Sequence, residues 1–207
     1  MQCELFPLSR RGGKRPGAGR PPKGVRAREP HKRRAEVRPY WPVHVTLRVA
    51  RDAPYLRKRS IWRAIAKATL ATAKHGAIRI IHASVQHDHL HLVVEARDQY
   101  ALSKGMLAFQ SSAARWINRS AKRSGCVFPD RYHAHVLKTL REARNAVRYV
   151  LCNWRKHGED RHVRFAIDPF STGYAFWPES PPSGYESLVT ASPATWLLRN
   201  IGELSAR

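Results

Sequence analysis

Two histidines one residue apart, His89-Leu90-His91, stand inside the run Val85-Gln86-His87-Asp88-His89-Leu90-His91-Leu92-Val93-Val94-Glu95. On a strand, residues two apart share a face, so both imidazoles project together while Leu90, Leu92 and Val94 point the other way. Paired imidazoles in that register form a clamp for a divalent metal, one that still needs a third ligand. In a chain with eleven histidines, ordinary surface or core residues explain the pair equally well. Farther along, Tyr149 and Asn153 are four apart in a helical pattern and therefore lie on one helix face. A tyrosine oxygen can attack phosphorus and form a covalent phosphotyrosine. An asparagine carbonyl is a neutral donor that hard cations such as Mg²⁺ or Mn²⁺ accept. On spacing alone, a tyrosine that packs its ring and exposes its hydroxyl is the simpler reading.

These residues need elements to position them. Val43-His44-Val45-Thr46-Leu47-Arg48-Val49 alternates as a half-buried strand does. Ser60 to His75 puts Ile61, Ala64, Ile65, Ala68 and Ala71 on one helical face, and Gly76 is placed to stop it. Ile78 to Gln86 and His89 to Ala96 read as two strands joined by a tight hairpin. A helix is expected from Ala101 to Ser124, with Leu102, Met106, Phe109, Ala113 and Ile117 inward and Gly125 at its end. Arg131 to Lys138 alternates again. Thr139-Leu140-Arg141-Glu142 has capping-box spacing, so a helix should run from Thr139 to about His157 and bury Ala143, Ala146, Val147, Val150 and Leu151. Thr195-Trp196-Leu197-Leu198 suggests a short packed element near the end. The order predicts an α+β fold, a ferredoxin-like antiparallel βαββαβ sheet with helices on one face plus a C-terminal helix that carries Tyr149.

Charge narrows the partners. The 207 residues hold 38 Lys+Arg, most of them arginine, against 15 Asp+Glu, for a net +23 and a pI near 11.1. That balance makes polyanions the default partner, nucleic acid first and an anionic membrane second. Residues 1–39 contain twelve Lys/Arg and three acids among Gly and Pro, with little to bury. They read as a disordered basic arm, either a merely solvated polybasic tail or an AT-hook-like segment at Ala18-Gly19-Arg20-Pro21. Residues 40–158 form the expected folded domain, and 159–207 a Pro- and aromatic-rich extension. Cys3, Cys126 and Cys152 suit free thiols in a reducing cytoplasm. No apolar run is long enough to span a membrane, and Met1 to Arg10 lacks a secretion pattern, so a cytoplasmic, nucleoid-associated protein is expected.

His89-Leu90-His91 followed by Tyr149-Val150-Leu151-Cys152-Asn153 resembles the HUH single-tyrosine transposases of the insertion-sequence 200/605 type, and more closely the REP-associated tyrosine transposases. Further matching stretches are a Gly-Arg-Pro arm at 16–24, His44-Val45-Thr46-Leu47, Arg131-Tyr132-His133-Ala134-His135-Val136-Leu137-Lys138-Thr139, Ala146-Val147-Arg148-Tyr149-Val150-Leu151 and Thr195-Trp196-Leu197-Leu198. They cover most of the chain in the right order. The resemblance implies His89, His91 and Asn153 as ligands of Mg²⁺ or Mn²⁺ and Tyr149 as the nucleophile. Single-stranded or hairpin DNA is the implied partner, contacted through Arg15, Arg20, Arg131, His135, Lys138, Arg148 and Arg155. No membrane partner is expected, and a homodimer is compatible with what similar enzymes form. Asp88, where similar members carry Asn, adds a carboxylate beside the clamp, and Cys152-Asn153-Trp154 departs from the Asn-Pro of shorter relatives.

Two rival readings use the same residues differently. His44-Val45-Thr46 and His82-Ala83-Ser84 each match the His-x-[Ser/Thr] of metal-free two-histidine phosphoesterases. A basic sheet with exposed aromatics can also hold single strands without any catalysis. His133 and His135 share a strand face as well and compete with His89 and His91 for a metal.

Overall fold

The computed structural model describes residues 34–156, 158, 167–177 and 180–202. Residues 1–33 of the expected arm, with Arg15 and Arg20, lie outside the described residues, whereas its end at 34–39 packs on the fold, with Val37 in the core and Arg34 Nη2 donating to Tyr132 O at 2.9 Å. The elements run β1 (Val43–Arg48), α1 (Arg59–His75), β2 (Ile78–Val85), β3 (His89–Ala96), α2 (Gln99–Ser120), β4 (His133–Val136), α3 (Leu140–Lys156) and α4 (Trp196–Arg199), with a short 3₁₀ turn at Gly173–Ala175 before α4. The four strands form one antiparallel sheet in the order β2-β3-β1-β4. The expected α+β architecture is present.

Strand alternation divides the sheet into two faces with different chemistry. Val43, Val45, Leu47, Ala83, Val85, Leu90, Leu92 and Val94 point to one side, where they pack with Ile61, Ile65 and Ala68 of α1 and Leu102, Met106, Phe109, Ala113 and Ile117 of α2. Gly76, at φ 73°, ends α1 in the left-handed region that favours glycine. Gly105 lets α2 approach the sheet so closely that a Cβ there would lie 2.5 Å from Ile78 Cγ2. The opposite face carries a smaller core, in which Ile81 and Val93 meet Ala143, Val147, Val150 and Leu151 of α3 and Leu197, Leu198 and Ile201 at the end of the chain. A bulge between Ile80 and His82 lets Ile81 join that side.

The segment after residue 166 closes the free edge of β2. Val85 N–H donates to Phe170 O at 2.8 Å and Thr172 N–H to Ala83 O at 2.9 Å. Asp168, fully buried, takes both arms of the Arg57 guanidinium at 2.9 and 3.0 Å, while Arg57 Nη1 also donates to Val85 O at 2.9 Å. Glu95 accepts from the backbone N–H groups of Ala194 and Thr195, which fixes the start of α4. Among the described residues, no helix is long and apolar enough to cross a membrane.

His82 sits beneath this layer with its ring 5.3 Å from Phe176, and burial pushes its pKa down to about 4. The unfolded chain therefore binds a proton near pH 6.5 that the folded chain refuses. Stability present above pH 6.5 is lost as pH falls toward 4. His82→Leu should flatten this decline, so that its unfolding free energy gains about 2 kcal/mol on wild type between pH 6.5 and 4.5 in urea titrations. Parallel curves for the two proteins would show that His82 does not carry the effect.

Candidate active site

The second sheet face is polar where the first is apolar. Across the strands His91 pairs with Thr46 and Ser84, His89 with Arg48, and His44 with Val93 and His135, while Thr46 pairs with His133. Directly opposed residues share a face, so His44, His89, His91, His133 and His135 all rise from the α3 side. The rings of His89 and His91 lie 4.7 Å apart at an interplanar angle of 88°. Among the described residues, no cluster of three or more His, Cys, Asp or Glu is arranged to hold a metal.

Both rings are held through Nδ1. His89 Nδ1 lies 2.6 Å from Asp88 Oδ1, and His91 Nδ1 lies 3.1 Å from His44 Nε2 and 3.2 Å from Thr46 Oγ1. A histidine whose Nδ1–H is engaged this way presents Nε2 as a donor to a metal, the usual outer support of a metal-ligating imidazole. Burial raises the Asp88 carboxyl, but the hydrogen bond from His89 and the charges of His89, His87 and Arg48 outweigh it and hold the group below the ordinary range. Burial, assisted by His135 and His133, pushes His44 down to about 4, so its neutral ring can accept from His91.

The capping box at 139–142 sets where α3 begins. Glu142 N–H donates to Thr139 Oγ1 at 3.1 Å, and Glu142 Oε2 accepts from the N–H groups of Thr139 and Lys138. From that start the buried stripe docks α3 across β2 and β3. Tyr149, 37% exposed, places its ring 5.1 Å from His91 and 5.9 Å from His44. One turn later Asn153 is 2% exposed, and neither Oδ1 nor Nδ2 has a hydrogen-bond partner.

Of the residues read as DNA contacts, His135, Lys138 and Arg148 are exposed, and Arg131 and Arg155 are partly so. Arg148 lies on the outer side of α3 next to Tyr149, and Lys138 Nζ sits 5.3 Å from the centre of the Trp41 ring. His133 and His135 lie on the edge strand β4, both exposed. The phosphoesterase histidines both stand opposite Val93 on the α3 side with β3 between their strands, but His44 lies against His91 and Tyr149, and His82 against Phe176. Spacing alone did not reveal that His44 and Thr46 buttress His91. The signal was present in the alternation of 43–48, which puts both side chains on the histidine face.

The model of a family described as IS200-like transposases matches residues 40–152, more than half of the chain, a span that includes His89, His91 and Tyr149. Among solved structures, the chain is similar to a REP-associated tyrosine transposase bound to a REP hairpin, at 17% identity and a TM-score of 0.58, covering 86% of this chain and 96% of that one. It is also similar, below a TM-score of 0.5, to a candidate transposase from Deinococcus radiodurans R1 (12% identity, TM-score 0.41, 66% of this chain and 98% of that one). A bacterial tRNA(His) guanylyltransferase-like protein in complex with GTP stands at 15% identity and a TM-score of 0.43, covering 62% and 66%. No curated protein matches. The matched span takes in β1 through most of α3, and the REP-associated enzyme shares the fold over nearly its whole length. The chain belongs to the IS200-like transposase family.

Proposed function

We propose that the protein cleaves and rejoins single-stranded DNA at REP-like hairpins through a covalent bond to Tyr149. The observation that carries this reading is the approach of Tyr149 to His91 at 5.1 Å, with the unpartnered amide of Asn153 one helical turn away. A buried amide with two unsatisfied atoms is costly unless a ligand uses it. Two imidazoles and an amide oxygen suit Mg²⁺ or Mn²⁺, so His89, His91 and Asn153 are the residues that would hold the cation. When bound, such an ion polarises a phosphodiester and orients it for in-line attack.

The chain's own residues do the rest. Tyr149 Oη gives up its proton and forms a bond to phosphorus, the bond from phosphorus to the 3′ oxygen breaks, and that oxygen takes up a proton and leaves as a hydroxyl. The 5′ phosphate stays on Tyr149. A 3′ hydroxyl from the same or another strand reverses the step, so the phosphodiester energy is conserved and no nucleotide cofactor is consumed. Arg131, His135, Lys138, Arg148 and Arg155 would hold phosphates around the site. Arg15 and Arg20 would add affinity from the basic arm, and Asp168 and Thr172 tie the later chain to the sheet beneath the site. The neighbour's REP hairpin and the net +23 support hairpin DNA as the substrate.

A labelled hairpin oligonucleotide with single-stranded flanks tests this in Mg²⁺ or Mn²⁺. Wild type should cut one flank, chelator should stop it, and Tyr149→Phe should bind the hairpin within about twofold of wild type without cutting. Cutting by Tyr149→Phe, or cutting in chelator, contradicts the proposal.

A further inference from the structure

A second buried amide faces the same site. Gln86 is 0% exposed, and its backbone N–H donates to His89 O at 2.9 Å, which sets it directly across the hairpin from His89. Its neighbour Val85 points into the α1/α2 core, so alternation turns Gln86 to the opposite face, that of His89 and His91. The side chain follows: Gln86 Nε2 donates to Ser84 Oγ at 2.6 Å, and Ser84 is the cross-strand partner of His91. With its NH₂ anchored on Ser84, Gln86 Oε1 is buried and accepts no hydrogen bond. Above it α3 packs across β2 and β3, bringing the buried Asn153 amide to the same side of the sheet. Two side-chain amides with unpartnered buried oxygens thus share the sheet face that carries two Nδ1-anchored imidazoles.

We infer that Gln86 is a fourth protein donor to the divalent cation, supplying Oε1 alongside His89, His91 and Asn153. The inference rests on the proposed cation site and extends it. Two nitrogens and two neutral oxygens add no negative charge to the site. A divalent ion held by these neutral groups would keep its positive charge available to a phosphodiester. The two-residue turn His87-Asp88 serves both sides of this arrangement: Asp88 orients His89, and the tight reversal brings Gln86 back opposite it.

Mn²⁺ binding to the full chain, followed by the paramagnetic resonance of free ion, tests this without reference to cleavage. Wild type should bind, and His89→Ala should bind at least tenfold more weakly. Gln86→Leu should weaken binding about tenfold, with an unfolding midpoint in chelator no lower than that of wild type. Gln86→Glu should tighten binding about tenfold or more, because a carboxylate replaces a neutral oxygen. Ser84→Ala, which removes the anchor and leaves Oε1 in place, should stay within about threefold of wild type. If Gln86→Leu binds Mn²⁺ as wild type does and only the midpoint falls, Gln86 is a prop for Ser84 and the inference is overturned while the cation site stands. If wild type binds no Mn²⁺, or His89→Ala binds it equally well, the cation site itself fails and Gln86 falls with it.

Discussion

His89→Ala and His91→Ala should each reduce cation-dependent DNA cleavage by about 10³-fold or more, the scale of several kcal/mol of transition-state stabilisation by a bound ion. His133→Ala and His135→Ala should leave the cleavage step within a few-fold of wild type. By strand alternation alone the two pairs are equivalent, and the surroundings break the tie. Asp88 holds the Nδ1 of His89, and His44 with Thr46 holds that of His91, whereas His133 and His135 lie exposed on the edge strand. Asp88→Ala should fall between, at about 10–100-fold, because it loosens one ligand without removing it. Single-turnover cleavage at saturating hairpin DNA separates these effects from binding. A strong loss in His133→Ala with a mild one in His91→Ala would move the cation site to β4.

Asp168→Ala should destabilise the protein by about 3–5 kcal/mol, a large part of the 5–15 kcal/mol that holds an ordinary domain together. The substitution strands a buried guanidinium, removes two charge-assisted hydrogen bonds from Arg57 and deprives Phe170 N–H of its acceptor. Breaking one partner is what costs, so Arg57→Met combined with Asp168→Leu should recover most of the loss. The pair matters to the site as well, since Arg57 also grips Val85 O at the end of β2, next to the turn that carries Asp88 and His89. Urea unfolding measures the difference. An unchanged midpoint in Asp168→Ala would mean that the extension rests on the sheet without bracing it.

The parts of this molecule that depend on local periodicity were legible in the sequence. Alternation marked β3 as His89–Ala96, which is where it lies, and the capping box marked the start of α3, which begins at Leu140 with Thr139 as its cap in place of its first residue. The end of α2 was not legible. Gly125 suggested a helix running to Ser124, but the helix stops at Ser120, because Lys122 adopts φ 50° and the Asn118 side chain ties back to Gly125 O. A lysine in the left-handed region carries no sequence signal. The fourth strand is shorter than its alternating stretch, His133–Val136 in place of Arg131–Lys138, since pairing with β1 extends only from Val43 to Thr46. The role of the extension was equally hidden. Asp168 and Thr172 act through Arg57 and the Ala83 carbonyl, partners far away in sequence that no local pattern reveals. At the candidate site, spacing nominated His89, His91, Tyr149 and Asn153, and Asp88 stood out as a carboxylate beside the clamp, but the supports His44 and Thr46 emerged only from strand register.

The chemical identity of the bond between protein and DNA tests the central claim most directly. Wild type is incubated with a hairpin oligonucleotide and Mn²⁺, denatured, digested with protease and nuclease, and the modified peptide is sequenced by mass spectrometry. The account predicts a 5′-linked nucleotide on the hydroxyl of Tyr149, released by a strand bearing a free 3′ hydroxyl and absent when Tyr149 is phenylalanine. Cleaved DNA with no peptide attached, or a nucleotide linked to a histidine or to any other tyrosine, would contradict it.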